Sequence, residues 1–321
     1  MSFSGHFWTI WPLLQRLAFP PPPPEGEQPW QFELDDGDAG RIRLTGALSA
    51  AARSGLVVLV HGLGGSIDSG YMSKAARTAA GLGLASLRLN LRGADGACDD
   101  FYHAGLSSDL GRLLESPALD RFEDVYLMGF SLGGHLCLRF ATEVRDPRVR
   151  AVAAVCSPLD LERSVAAFDQ PRCWIYRRYV LAGLVRMSER LTMPTPIEEL
   201  RRVRTVREWD RRTVVPRFGF ADPGDYYRRA GVAGRLGELR RPALLVNAVD
   251  DPLVPEAAVR CALPGPELLR VEWVERGGHL GFPARLDLGQ DGPPGLHGQV
   301  LGWLAGQARP CVSNPGGGAG I

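Results

Sequence analysis

The sequence predicts an α/β protein with a mostly parallel central sheet, flanked by helices and interrupted by a helical cap insertion. Three observations carry that prediction. Short apolar, β-branched runs alternate with helix-patterned stretches up to residue 157, and again from 241 to 308. The intervening residues 158–240 are rich in arginine and contain no such run. The five residues Gly129-Phe130-Ser131-Leu132-Gly133 read G-x-S-x-G and fall between an apolar run and a helical one.

Taken in order, the N-terminal stretch MSFSGHFWTIWPLLQRLAF is apolar and aromatic. It lacks a basic start and a small-residue cleavage site, so it does not read as a signal peptide. Pro12 breaks its apolar run, which is too short to span a bilayer. Packing on the domain is its expected role, with weak peripheral contact to lipid as the other reading. Five consecutive prolines at 20–24 form a stiff extended spacer within an N-terminal segment of residues 1–29. The core of residues 30–157 opens on a predicted hairpin, two extended runs around the acidic, glycine-bearing turn of PWQFELDDGDAGRIRLTGAL.

GLVVLV at 55–60 reads as a strand buried on both faces, ending in the glycine-rich loop HGLGG. A helix at about 70–80, the strand LASLRLN at 84–90 and the loop LRGADG follow. SSDLGRLLES opens with serine caps and an early Asp109, which is helix-start chemistry. DVYLMGF is a strand, LGGHLCLRFATEV a helix, and VRAVAAVCSP another buried strand. After the 158–240 insertion, the core resumes at 241–308. It runs through PALLVNAVDDPLVP, a helix, LLRVEWVERGGHLGF and the amphipathic HGQVLGWLAGQ. Residues 309–321 predict a disordered tail.

The formal net charge of +1 gives no reason to expect nucleic acid as a partner. Lys74 is the only lysine, a composition that reads as codon bias, and arginine's fit to carboxylates and phosphates leaves acidic substrates open. The cysteines Cys98, Cys137, Cys156, Cys173, Cys261 and Cys311 are scattered, with no C-x-x-C and no histidine at metal spacing. Neither a metal nor another cofactor is predicted, and a reducing, cytoplasmic compartment fits.

Ser131 has the context a nucleophile on a strained strand-to-helix turn requires. That turn also brings the Leu132 amide toward the oxygen of a bound acyl group. A serine needs a base, and the base an orienting acid. Asp250 and Asp251 follow the strand ALLVNA, and His279 follows LLRVEWVE, so acid and base come in the order this turn calls for. Gly277 and Gly278 are expected to let the histidine's loop turn. The HGLGG loop supplies a second oxyanion donor, assigned to the amide of Leu63. His135 sits one helical turn past Ser131 and is expected in packing. His61 and His103 come too early in the chain, and His6 and His297 lack a loop setting. In the cap, Trp174, Tyr176, Tyr179, Trp209, Tyr226 and Tyr227 are either lining for an apolar acyl group or ordinary packing. Arg92 is expected to make a structural loop contact rather than to meet an acidic group.

Seven stretches carry a resemblance, in order: GHFWTIWP, HGLGGSIDSGYM, LNLRGADG, FYHAGLSSDL, GFSLGG, NAVDDPLVP and GGHLGF. From Gly5 to about Phe282 the chain resembles the YheT-like branch of the α/β-hydrolases, relatives of abhydrolase-domain lipid esterases. The resemblance implies the α/β-hydrolase fold and a serine hydrolase acting on esters, with Ser131, Asp251 and His279 as its triad. The D-P-x-V-P setting, in which hydrolases of this architecture carry the acid, favours Asp251 over Asp250. Two departures bear on lipid substrates: PARLDLGQDGPPGLHGQ is longer and more polar than the family pattern, and no membrane-spanning anchor of the animal type is expected. The expected function is hydrolysis of carboxylic esters of small to medium acyl chains through an acyl-enzyme. An acyltransferase using the same triad is the alternative, and a non-catalytic scaffold on the same fold is a third reading. The expected partner is a small-molecule ester, lipid-like ones included.

Overall fold

A computed structural model describes residues 3–18, 24–49, 55–263 and 267–308. All of the proline spacer but Pro24 lies outside the described residues, as does the 309–321 tail. Helix α1 (Phe3–Ala18) precedes the hairpin β1 (Glu27–Asp36) and β2 (Gly40–Ser49). The alternating core then runs β3 (Gly55–Val60), α2 (Gly70–Gly81), β4 (Ala85–Asn90), α3 (Ser108–Arg112), β5 (Asp124–Phe130), α4 (Leu132–Glu143) and β6 (Val149–Val155). Six helices follow: α5 (Leu161–Phe168), α6 (Trp174–Ser188), α7 (Ile197–Leu200), α8 (Val206–Arg212), α9 (Val214–Phe218) and α10 (Pro223–Ala230). The chain returns to the sheet with β7 (Ala243–Ala248), α11 (Glu256–Arg260), β8 (Leu269–Val274) and α12 (Leu296–Ala305).

The eight strands form one sheet in the order β1-β2-β4-β3-β5-β6-β7-β8. The hairpin pairs antiparallel within itself and onto β4, and every other neighbour pair is parallel. The burial pattern explains the sequence pattern. Every residue of β3 is buried because helices cover both faces, so its run is continuously apolar. Edge strand β1 instead buries Trp30 and Leu34 between exposed neighbours. The hairpin turn is made by the Asp36 carboxylate, which accepts the amides of Asp38 and Ala39. One apolar core lies under α3, α4 and the helices between β6 and β7; the other lies under α2 and α12.

One local expectation fails. The Ser107 hydroxyl does not cap α3 but donates to Glu143 at 3.2 Å, and the Asp109 carboxylate is taken by Arg92. Tertiary partners outcompete local capping here, and α3 lasts only five residues before giving way to a 3₁₀ turn.

Candidate active site

Phe130 ends β5 and Leu132 begins α4, so the entire change of direction falls on Ser131, at φ 53° and ψ −119°. A non-glycine residue there stores strain of about 1–3 kcal/mol and needs its surroundings to hold it. They do. The Ser131 N–H donates to Val155 at 2.8 Å, and its carbonyl accepts the amides of Gly134 and His135 and the Ser157 hydroxyl. A Cβ on Gly129 would lie 2.2 Å from the Gly133 oxygen, and one on Gly133 would lie 2.3 Å from the Val60 oxygen. The two glycines of G-x-S-x-G are there because the turn's backbone packs on itself and on β3.

The loops after β7 and β8 bring acid and base together. His279 Nδ1 lies 2.9 Å from Asp251 Oδ2, with the carboxylate almost wholly buried. The other oxygen, Oδ1, accepts the amides of Leu253 and Val254 at 2.8 and 3.0 Å, so the carboxylate cannot rotate away. Asp251 thus both meets the imidazole and caps the turn. The His279 loop is shaped by close approach, not by free rotation of its glycines: a Cβ on Gly278 would meet Gly5 O at 2.2 Å and Thr9 Oγ1 at 2.6 Å. Positive φ in this loop falls on Leu280, whose amide donates to the Cys156 sulfur.

Ser131 and His279 line one cavity of about 1730 Å³, together with Leu63 and Leu132. Among the described residues the Ser131 hydroxyl makes no hydrogen bond, to His279 or to any other group. In the 61–65 loop, the Gly62 amide donates to the Tyr71 hydroxyl at 3.1 Å and the Gly64 amide to the Tyr102 hydroxyl at 2.8 Å. Between them the Leu63 N–H has no partner among the described residues. The Leu132 N–H, first in α4, has no intrahelical acceptor.

The chain matches the Alpha/beta hydrolase family over residues 57–287. It belongs to that family. The hydrolase is 31% identical over 303 residues to the YheT protein of Escherichia coli (strain K12), whose name assigns it a provisional esterase activity. That alignment covers 88% of this chain and 85% of that protein. It is 28% identical over 275 residues to the protein abhd-3.2 of Caenorhabditis elegans, covering 79% and 71% of the two chains. Among solved structures, the Pyrococcus furiosus esterase Pf2001 superposes with a TM-score of 0.53 at 17% identity, covering 81% of this chain and 90% of that one. That likeness shows the shared fold.

The other histidines of the hydrolase lie apart from the Asp251–His279 contact, although His297 lines the same cavity. His61 is fully buried, with Nδ1 on the Gly62 carbonyl and Nε2 accepting the Leu91 amide, and burial lowers its pKa to about 4. Burial lowers His103 and His297 to about 3. His135 is buried between the carbonyls of Pro158 and Ala230, joining α4 to the inserted helices. His6 lies against Tyr176, outside the acid–base pair. Arg92 is buried among Asp36, Asp100 and Asp109 and does not line the cavity.

The six inserted aromatics divide. Tyr176 and Tyr179 line the cavity; Trp209, Tyr226 and Tyr227 are buried in the core, and Trp174 is exposed outside the cavity. Four contributors escaped the sequence reading: Thr9, which accepts the His279 amide at 2.8 Å, Tyr71, Tyr102 and Cys156. Thr9 lies within GHFWTIWP, the one signal that pointed to it. The Cys156 thiol, Asp251 and His279 place three donor atoms within 4.8 Å of one another. Burial and the Asp251 charge push the Cys156 thiol well up, so it stays protonated, and it packs behind the pair as a neutral group. No helix among the described residues is long and apolar enough to cross a membrane.

Proposed function

We propose that this hydrolase is a serine esterase that cleaves carboxylic esters of small to medium acyl chains through an acyl-enzyme. Ser131 is the nucleophile, His279 its general base, and Asp251 the group that fixes the imidazole tautomer. The observation that carries the reading is the 2.9 Å contact between His279 Nδ1 and a carboxylate locked by two backbone amides. It leaves Nε2 for the cavity that Ser131 also lines.

Attack by Ser131 Oγ on the ester carbonyl passes its proton to His279 Nε2 and places negative charge on the carbonyl oxygen. The Leu63 and Leu132 amides take that charge, each donor contributing about 3 kcal/mol to the transition state. His279 then protonates the departing alcohol and draws a proton from the water that releases the acid. The cavity of about 1730 Å³ exceeds the usual 300–1,000 Å³ of a ligand site, leaving room for a bulky alcohol portion beside the acyl chain.

The test is turnover of p-nitrophenyl esters of graded chain length by the wild type and by Ser131→Ala, with fluorophosphonate labelling of both. Wild-type turnover and labelling that vanish together in the variant support the reading. Labelling at another serine, or turnover that survives the substitution, overturns it.

A further inference from the structure

Among the described residues seven large apolar side chains are exposed, and six of them gather on two helices: Phe7, Trp11 and Leu14 on α1, and Trp174, Ile175 and Tyr179 on α6. Positions 7, 11 and 14 share one face of α1. Gly5 and Thr9 face the other way, onto Asp250 and the His279 loop, so the aromatic face is turned outward because the inward one is already used. The two helices are joined where His6 Nδ1 meets the Tyr176 hydroxyl at 2.7 Å with the rings stacked. Trp11, Leu14, Ile175 and Tyr179 also line the cavity that holds Ser131 and His279. The exposed patch is therefore the rim of that cavity.

Positive charge is enriched in the segment that carries α6. Residues 158–240 hold 17 arginines against 11 acidic residues, a surplus of six positive charges in a chain whose net charge is +1. Arg172 and Arg178 flank Trp174 and Tyr179, are exposed, and make no ion pair among the described residues.

We propose that the α1–α6 face docks the protein on an anionic lipid surface, with the cavity opening onto that surface. Tryptophan, tyrosine and phenylalanine beside arginine is the composition that settles at a headgroup boundary, where an apolar body and a cation are both satisfied. Self-association through the same face would set Arg172 and Arg178 against their own copies, and like charges disfavour that pairing. The proposal concerns docking and does not depend on the hydrolytic reading.

The experiment is co-sedimentation with vesicles of phosphatidylglycerol and phosphatidylcholine, and of phosphatidylcholine alone. Wild type is compared with Phe7→Ser/Trp174→Ser and with Arg172→Glu/Arg178→Glu, and each is repeated in a Ser131→Ala background so that binding is read without turnover. Phe7 and Trp174 do not line the cavity, so their variant is expected to keep its turnover of a short soluble ester. The wild type is expected to pellet with the anionic vesicles and to release as salt is raised. The aromatic variant is expected to bind on the order of tenfold more weakly. The charge-reversal variant, at two exposed positions, is expected to lose the preference for anionic lipid. Absence of wild-type binding, or undiminished binding by both variants, overturns the proposal. So does a wild-type dimer in sedimentation velocity that Phe7→Ser/Trp174→Ser dissociates, which would make the face a self-interface.

Discussion

The His279 backbone N–H donates to the Thr9 hydroxyl at 2.8 Å, and that hydroxyl donates in turn to the Gly5 carbonyl at 2.7 Å. The loop carrying the candidate base is thereby braced by a helix from the opposite end of the chain. The approach is close enough that a Cβ on Gly5 would meet the Asp250 carbonyl oxygen at 1.9 Å. Gly5 and Thr9 are thus part of the site's frame, although neither takes part in the Asp251–His279 contact itself.

Thr9→Val keeps the shape of the side chain and removes the acceptor. It leaves the largely buried His279 amide without a partner, at a cost of about 1–3 kcal/mol. If that cost falls on the loop's placement, kcat for a p-nitrophenyl ester should drop roughly tenfold or more while KM stays within a factor of two. Thr9→Ser, which restores the hydroxyl, should recover most of the loss. An unchanged kcat in Thr9→Val would confine α1 to a packing role.

Much of the fold was legible because burial on both faces leaves a plain mark. The runs at 55–60, 124–130 and 243–248 are apolar without alternation, and they are the central parallel strands. Ser131 and Asp251 follow two of these runs and His279 follows the partly buried β8, so the sequence places all three on loops at the C-terminal ends of strands. What stayed hidden depends on contacts between distant segments. Thr9 meets His279 across 270 positions and Tyr102 meets Gly64 across 38, and no spacing or periodicity in the sequence announces either pairing. The inserted aromatics failed differently: composition identified them as apolar, but only the packing of α6, α8 and α10 decides which rings face the cavity.

The two adjacent aspartates should separate cleanly by mutation. Only Asp251 reaches His279, so Asp251→Asn should lower kcat by about 10⁴-fold through loss of the productive tautomer. Asp250→Asn should stay within roughly threefold of wild type, since a factor of three corresponds to less than 1 kcal/mol. Steady-state kinetics on one chromogenic ester decides it. Equal losses in both variants would mean that the pair acts through the turn and not through the imidazole.

Tyr102 offers a test of the oxyanion loop. Its hydroxyl accepts the Gly64 amide at 2.8 Å, one residue past the Leu63 amide proposed to face the oxyanion. Burial pushes the Tyr102 phenol well up, so it stays protonated through the working pH range. Tyr102→Phe frees the Gly64 amide and lets the loop rotate. Kcat should fall by roughly ten- to a hundredfold, approaching but not reaching the loss of a whole donor. A phosphonate inhibitor that mimics the tetrahedral intermediate should lose affinity in proportion, while binding of an uncharged substrate analogue holds. Loss of both in equal measure would point to a collapsed cavity and not to a misplaced donor.

Asp210, buried in the inserted helices with the Tyr227 hydroxyl donating to it at 2.7 Å, should govern how stability changes with pH. Burial raises its pKa to about 7 against the tyrosine's opposing hydrogen bond. The folded state therefore holds a proton that the unfolded state releases near pH 4. Stability from this group is fully present below pH 4 and is lost as pH rises toward and through 7. Buried neutral His61, His103 and His297 act in the opposite sense: their folded pKa values are depressed, so their contribution is present above about pH 6.5 and lost as pH falls. Asp210→Asn keeps an acceptor for Tyr227 and removes the titration. At pH 8 it should be more stable than wild type by on the order of 4 kcal/mol, and at pH 4 nearly equal to it. Thermal denaturation of both proteins across that range reads the difference directly. A gap that does not widen with pH would show that Asp210 is ionised in the folded state, with solvent reaching the site between α8 and α10.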